Sequence, residues 1–326
     1  MGVKNESRRL FLRQAAVGSL TGAVLGKTVL GTAESAATAA CGASKAAMCR
    51  LLRCPANYYQ QFDADYELDV PAEGYGGWQR AEIELDLDHT ALVSMHAWEA
   101  GTREQFLGWY RAVEYIPRAQ EICRTVYPRL LTAARNAGAT LFHVVGGGNY
   151  YQSLPGYRRA VTLAGPPPPA PETVPADASL RKLREFRAQR VFVGPHNAAD
   201  VQRGFAQLDF PPQARPLGDE GVAENRHQLL ALCKHHGINH LVYFGFAINW
   251  CLLMSPGGML EMTQHGVMCS AVRQATTAVE NRESARQQWA KELALWRVAL
   301  AWGFVFDAND LITVLASPAS SEESEI

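Results

Sequence analysis

Short apolar runs, each closed by glycine or a polar residue, alternate along this chain with longer stretches of helical period, and that alternation limits the fold more than any other feature. The runs are Thr90-Ala91-Leu92-Val93-Ser94-Met95, Leu141-Phe142-His143-Val144-Val145, Val191-Phe192-Val193, Leu241-Val242-Tyr243-Phe244, Val267 to Val272 and Phe304-Val305-Phe306. Runs of this length with few polar residues are strands covered on both faces, the pattern of a parallel sheet. Between them, Glu114 to Asn136, Glu224 to His236 and Glu283 to Trp302 carry apolar residues at helical spacing, with Gly138 and Gly237 as C-terminal stops. The expected fold is α/β, a doubly wound, mostly parallel sheet with helices on both faces. Ligands of such sheets bind beyond the C-terminal ends of the strands. That places His96, Gly146 to Asn149, Gly194 to Asn197 and Gly245 to Cys251 at the candidate site.

Around this core the chain divides by composition. Residues 1 to 40 pass from a charged start, Ser7-Arg8-Arg9-Leu10-Phe11-Leu12-Arg13, through an apolar section to the small residues Ala37-Thr38-Ala39. This order is that of a twin-arginine export signal, so the expectation is an exported, periplasmic protein that touches a membrane only through an uncleaved signal. Residues 41 to 86 read as an N-terminal extension, with Tyr58 to Arg80 lacking any sustained period. The main domain spans 87 to 316, with an insertion at 150 to 190. Tyr150 to Val174, which includes Pro166 to Pro169, is expected to hold no regular element, because proline lacks a backbone donor. Residues 317 to 326 form a polar, acidic tail that reads as disordered.

Charge narrows the partners. The 31 lysines and arginines nearly cancel the 32 aspartates and glutamates, so no broad field exists to hold nucleic acid, and a small molecule is the expected partner. Seven cysteines leave at least one thiol unpaired in an oxidising compartment; Cys41, Cys49 and Cys54 could supply a disulfide, in a pairing the sequence does not decide.

The stretch Gly237-Ile238-Asn239-His240-Leu241-Val242-Tyr243-Phe244-Gly245-Phe246-Ala247-Ile248-Asn249-Trp250-Cys251-Leu252-Leu253 sets a thiol on the first turn after a buried strand. A helix start there favours thiolate, and the nearby N–H groups, those of Ala247 and Ile248 among them, can hold an oxyanion. A small buried core cysteine is the plain alternative.

This stretch resembles the nucleophile segment of the isochorismatase-like cysteine hydrolases, which include nicotinamidases and N-carbamoylsarcosine amidases. Thr90-Ala91-Leu92 is similar to that family's first strand, Leu131 to Val145 to its first helix and second strand, Gly266 to Thr276 to the strand after the nucleophile, and Asp307-Ala308-Asn309-Asp310-Leu311 to its closing segment. The resemblance covers roughly Leu87 to Leu315 and implies a three-layer sandwich, a homo-oligomer and Cys251 as nucleophile. It also implies an aspartate and a lysine that this chain lacks: the aspartate falls on His96 and the lysine near Gly194.

Histidine is a competent base, since its unperturbed pKa of about 6.5 lies near neutrality. Cys251 and His96 are therefore the catalytic candidates. His196, Asn197, Trp98, Asn149, Ala247 and Ile248 are the candidates for binding substrate, beside the aromatic residues Tyr150, Tyr151 and Trp250. The family's metal-binding aspartate and histidines have no counterpart after His96, so no metal and no cofactor is expected, and His143 reads as a core histidine. Two functions stay open: a cysteine-dependent hydrolase of a small amide or related C–N bond, and a binding protein that keeps the pocket without turnover. A dehydrogenase would need a glycine fingerprint after the first strand, which is missing.

Overall fold

The computed structural model describes residues 50–317, so the export segment, Cys41, Cys49 and the tail from 318 lie outside the described residues. Eight strands form one sheet in the order β2-β1-β8-β7-β6-β3-β4-β5. They are β1 (Leu51–Gln60), β2 (Gly77–Asp86), β3 (Thr90–Met95), β4 (Thr140–Val144), β5 (Gly221–Ala223), β6 (His240–Gly245), β7 (Met268–Thr276) and β8 (Val305–Phe306). From β8 to β5 every neighbouring pair is parallel. Every residue of β3 and of β6 is buried, which is why these segments read as continuous apolar runs rather than as alternating ones.

The helices are α1 (Leu107–Ala112), α2 (Ile116–Thr125), α3 (Tyr127–Asn136), α4 (Pro155–Ala164), α5 (Ala178–Arg190), α6 (Ala198–Phe205), α7 (Arg226–His236), α8 (Met259–Thr263), α9 (Trp289–Ala301) and α10 (Ala308–Ala316). Leu92, Val242, Phe244, Val272 and Phe306 of the strands join Tyr127, Leu130 and Leu131 of α3 and Leu311 and Leu315 of α10 in one core. Tyr243 sits between Val242 and Phe244 in a strand whose side chains alternate, so it faces the other layer, where its hydroxyl donates to the Gly257 carbonyl at 2.9 Å. Each fully buried aromatic or aliphatic side chain of these layers contributes roughly 1.5–3 kcal/mol by leaving water.

Several sequence expectations need correction. The extension, in which Tyr58 to Arg80 shows no sustained period, holds strands: β1 and β2 pair antiparallel over ten residues each, and Asn57 of β1 meets Val305 of β8, so the ribbon extends the sheet. Its outer strand is mostly exposed and rich in charge (Arg80, Glu82, Glu84), which hides the period of a strand. Val191-Phe192-Val193 is not a strand but a turn, with Val191 and Phe192 exposed. The strand that fills the expected place is Gly221–Ala223, only three residues long. Proline misled twice. Pro155 opens α4 at its first position instead of forbidding it, and Pro128 lies in the first turn of α3, dividing the expected helix at Val126. The helix expected from Glu283 begins at Trp289, after a run of turns.

One contact fixes the middle of the sheet. Met95 pairs with Gly245 where β3 and β6 end, and a Cβ on Gly245 would stand 1.9 Å from the Met95 carbonyl oxygen. Gly245 also has a φ of 132°, which side chains rarely adopt. Replacing Gly245 with alanine is therefore expected to cost at least about 3 kcal/mol, from overpacking and backbone strain together. Chemical denaturation of the Gly245→Ala variant checks this; stability within 1 kcal/mol of the parent would show that the two strand ends can separate freely.

Candidate active site

The residues that follow β3 and β6 are brought side by side by the Met95 and Gly245 contact. Phe246 N–H donates to the Met95 carbonyl at 3.1 Å, and His96 N–H donates to the Val144 carbonyl of β4 at 2.8 Å. His96 is buried and takes a φ of 53°, in the left-handed region that a residue with a Cβ enters at a cost of roughly 1–2 kcal/mol. Backbone held in that region at the end of a buried strand turns a side chain away from its strand direction. Gly146, at the end of β4, backs onto the ring: a Cβ there would lie 3.1 Å from His96 Nε2.

Cys251 lies on a five-residue π-turn, Ile248–Leu252, rather than on the first turn of a long helix. Gly257 and Gly258 break the chain after it, and regular helix resumes only with α8. The helix dipole invoked from sequence is thus short, and other groups act on the sulfur. Burial pushes the thiol up, but the charge of a protonated His96, a hydrogen bond from that ring, one from Ser255 and one from the Ala247 backbone together pull it below the ordinary thiol value. The four remaining cysteines among the described residues are also free and buried, and burial raises each of them: Cys54, Cys123 and Cys233 to about 12, Cys269 still further. Cys251 is the one whose environment favours the anion. Cys54, a candidate for a disulfide, is a free thiol in the core.

The other candidate residues divide. Ala247 gives its N–H toward the sulfur. Ile248 does not offer its own, which goes to the Thr277 carbonyl at 2.7 Å, and Trp250 N–H is taken by the Ala247 carbonyl at 3.3 Å. Trp98 stacks on Trp109 with ring centroids 5.2 Å apart and lines a cavity of about 240 Å³. Tyr115 and Phe246 line the same cavity, and Tyr115 stands within electrostatic reach of Cys251. Asn149 is exposed and only closes a turn through its carbonyl. His196 is exposed as well. Asn197 is buried and donates to the Val193 carbonyl at 2.9 Å, while its Oδ1 finds no partner among the described residues. Trp250 lies partly exposed with its ring 6.2 Å from that of Phe192.

Glu224 directly follows the short strand β5. The Glu224 carboxylate accepts hydrogen bonds from Tyr151 at 2.7 Å and Tyr157 at 2.9 Å. His143 is a buried strand histidine bonded through Nε2 to Glu220 at 2.8 Å. Among the described residues no group of three His, Cys, Asp or Glu side chains is placed to hold a metal ion, and no helix is long and apolar enough to cross a membrane. Sequence reasoning missed Ser255 and Tyr115. The first was legible only as a hydroxyl four residues after Cys251, the second not at all, because packing at the start of α2 alone brings it within electrostatic reach of Cys251.

No protein-family model matches the chain, and no curated protein matches it in sequence. Solved structures are similar to it at low identity. A cysteine hydrolase from Pseudomonas syringae pv. phaseolicola is 13% identical with a TM-score of 0.39, covering 71% of this chain and 94% of its own. The N-carbamoylsarcosine amidase of Thermoplasma acidophilum is 13% identical with a TM-score of 0.37, covering 68% and 97%. The YcaC gene product of Escherichia coli, described as an octameric hydrolase of unknown specificity, is 15% identical with a TM-score of 0.34, covering 71% and 80%.

The contact between Gly146 and the imidazole gives a test of the geometry. Gly146→Ala is expected to displace the His96 ring by a few tenths of an ångström and to raise the pH at which the Cys251 thiol ionises, with little change in melting temperature. Iodoacetamide labelling followed across pH checks this; an unchanged profile in a folded variant would mean that the ring position does not govern the thiol.

Proposed function

We propose that the protein is a cysteine-dependent hydrolase of a small amide or related C–N bond, with Cys251 as nucleophile and His96 as the proton carrier. The observation that carries this reading is the hydrogen-bonded pair of Cys251 and His96 at the C-terminal ends of β3 and β6, with the Ala247 N–H aimed at the sulfur.

The pair supports a complete cycle. The Cys251 thiolate adds to the substrate carbonyl carbon, and the π electrons of that carbonyl move onto oxygen. Ala247 N–H, which bonds the sulfur in the resting pair, is offered to that oxygen as the negative charge moves from sulfur to oxygen, while the N–H groups of Ile248 and Trp250 stay committed to carbonyls. As the carbonyl re-forms, the C–N bond breaks and the protonated His96 gives its proton to the leaving nitrogen. Water then attacks the thioester with neutral His96 accepting its proton, and the thiolate departs. Ser255 keeps a hydrogen bond on the sulfur in its anionic state. The cycle uses a thiolate and an imidazole and calls on no cofactor. Export through the twin-arginine route and assembly as a homo-oligomer belong to the same proposal.

The sign of the pH dependence follows from the lowered thiol. Iodoacetamide labelling of Cys251 should reach half its maximal rate below the value of about 8.5 of an ordinary thiol. His96→Gln removes the positive charge and should slow labelling in mildly acidic buffer at least about tenfold, the effect of one pKa unit. Labelling of folded Cys251 no faster than that of the denatured thiol would leave a protein that binds without turnover.

A further inference from the structure

We propose that the cavity walled by Trp98, Tyr115 and Phe246 binds the non-reacting end of the substrate, and that this end is a small apolar or aromatic body carrying a cationic or N–H-rich nitrogen. The proposal rests on the reading of Cys251 as nucleophile and specifies what that nucleophile is offered.

Position comes first. Phe246 directly precedes Ala247, whose N–H meets the sulfur; Trp98 is two residues beyond His96; and Tyr115 lies within electrostatic reach of Cys251. Two of the three walls thus lie close in the chain to His96 and Ala247, while Cys251 and His96 do not themselves line the cavity. Its volume of about 240 Å³ exceeds the ~150 Å³ that takes up a benzene ring in a protein core, so one ring and a short substituent fit. Trp98 is held in the wall by stacking on Trp109.

The polar lining decides the class of ligand. Glu99 brings a carboxylate to the wall and is fixed at both ends. Its Oε1 accepts from Gly101 N–H at 3.1 Å and from Gln120 Nε2 at 3.5 Å, and its backbone N–H donates to the Asp209 carbonyl at 2.7 Å. The Gln120 and Tyr110 donors beside it are spent, while Gln213 adds a side-chain amide to the lining. Gln120 Nε2 also reaches the Tyr110 hydroxyl at 2.9 Å, and that hydroxyl donates to the Gly101 carbonyl at 2.7 Å. Arg124, at the rim, is paired with Glu121 at 2.6 Å and 60% exposed. The unspent charge on the wall is thus the Glu99 carboxylate, set between aromatic faces, with Arg124 turned to Glu121 at the rim. An acceptor-lined aromatic cavity recognises a group that donates, and a positive charge adds attraction to both the carboxylate and the rings.

Calorimetric titration with benzylammonium, benzyl alcohol and benzoate tests this on the full chain. Benzylammonium should bind at least about tenfold more tightly than benzyl alcohol, equivalent to about 1.4 kcal/mol, and benzoate should bind least. Glu99→Gln, which keeps the hydrogen-bonding shape but not the charge, should remove that preference at an unchanged melting temperature. Benzylammonium should also slow iodoacetamide labelling of Cys251 in the unmodified protein. Equal binding of the three probes, a preference for benzoate, or binding without protection of Cys251 would overturn the proposal, and the first two need no variant to fold. The same titration on Cys251→Ser reads the pocket without the thiol, so an unreactive Cys251 refutes the nucleophile while the probe preference is still measured, and equal probe binding refutes the pocket whatever Cys251 does.

Discussion

The close approach of two strand ends, Met95 against Gly245, is the constraint on which the site depends. Only a residue without a Cβ lets the backbone of β6 come this near to β3, and the next residues then bond across, Phe246 N–H to the Met95 carbonyl. That bond sets Ala247 and the π-turn beside His96. Buried side chains on both faces of the sheet hold the two strands parallel, so the juxtaposition is a product of the core rather than of the loops.

A buried thiol left to itself would stay protonated, as the raised values of Cys54, Cys123, Cys233 and Cys269 illustrate. Cys251 is equally buried, and the difference is its neighbours. Three donors converge on one sulfur, from the end of β3, from the chain just after β6 and from the turn beyond Cys251. Burial still raises the thiol, and the charge and hydrogen bond of His96 together with the other two donors outweigh it. The positive φ of His96 and the open face of Gly146 belong to the same arrangement: one turns the ring, the other leaves it room.

How much of this was legible in the sequence depends on the kind of signal. Strands buried on both sides, such as Thr90–Met95 and His240–Gly245, announce themselves as unbroken apolar runs, and the residues after them were placed at the right end of the sheet. The ribbon of β1 and β2 was missed because an edge strand carries polar residues on its open side. Val191-Phe192-Val193 was mistaken for a strand because three apolar residues satisfy the pattern without satisfying a ladder, whereas Gly221–Ala223 is almost too short to notice. Ser255 reaches the sulfur through turn geometry and Tyr115 comes within electrostatic reach of it through packing, which no local pattern encodes.

The central claim is that His96 lowers the pH at which the Cys251 thiol ionises below that of an ordinary thiol. Ultraviolet thiolate absorbance, taken as the difference between the unmodified protein and Cys251→Ser and titrated against pH, measures it directly. The account predicts a transition well below that of an ordinary thiol, shifted upward when His96 is replaced by glutamine. A difference spectrum that develops only at or above the ordinary thiol range, and is the same with and without His96, would contradict it.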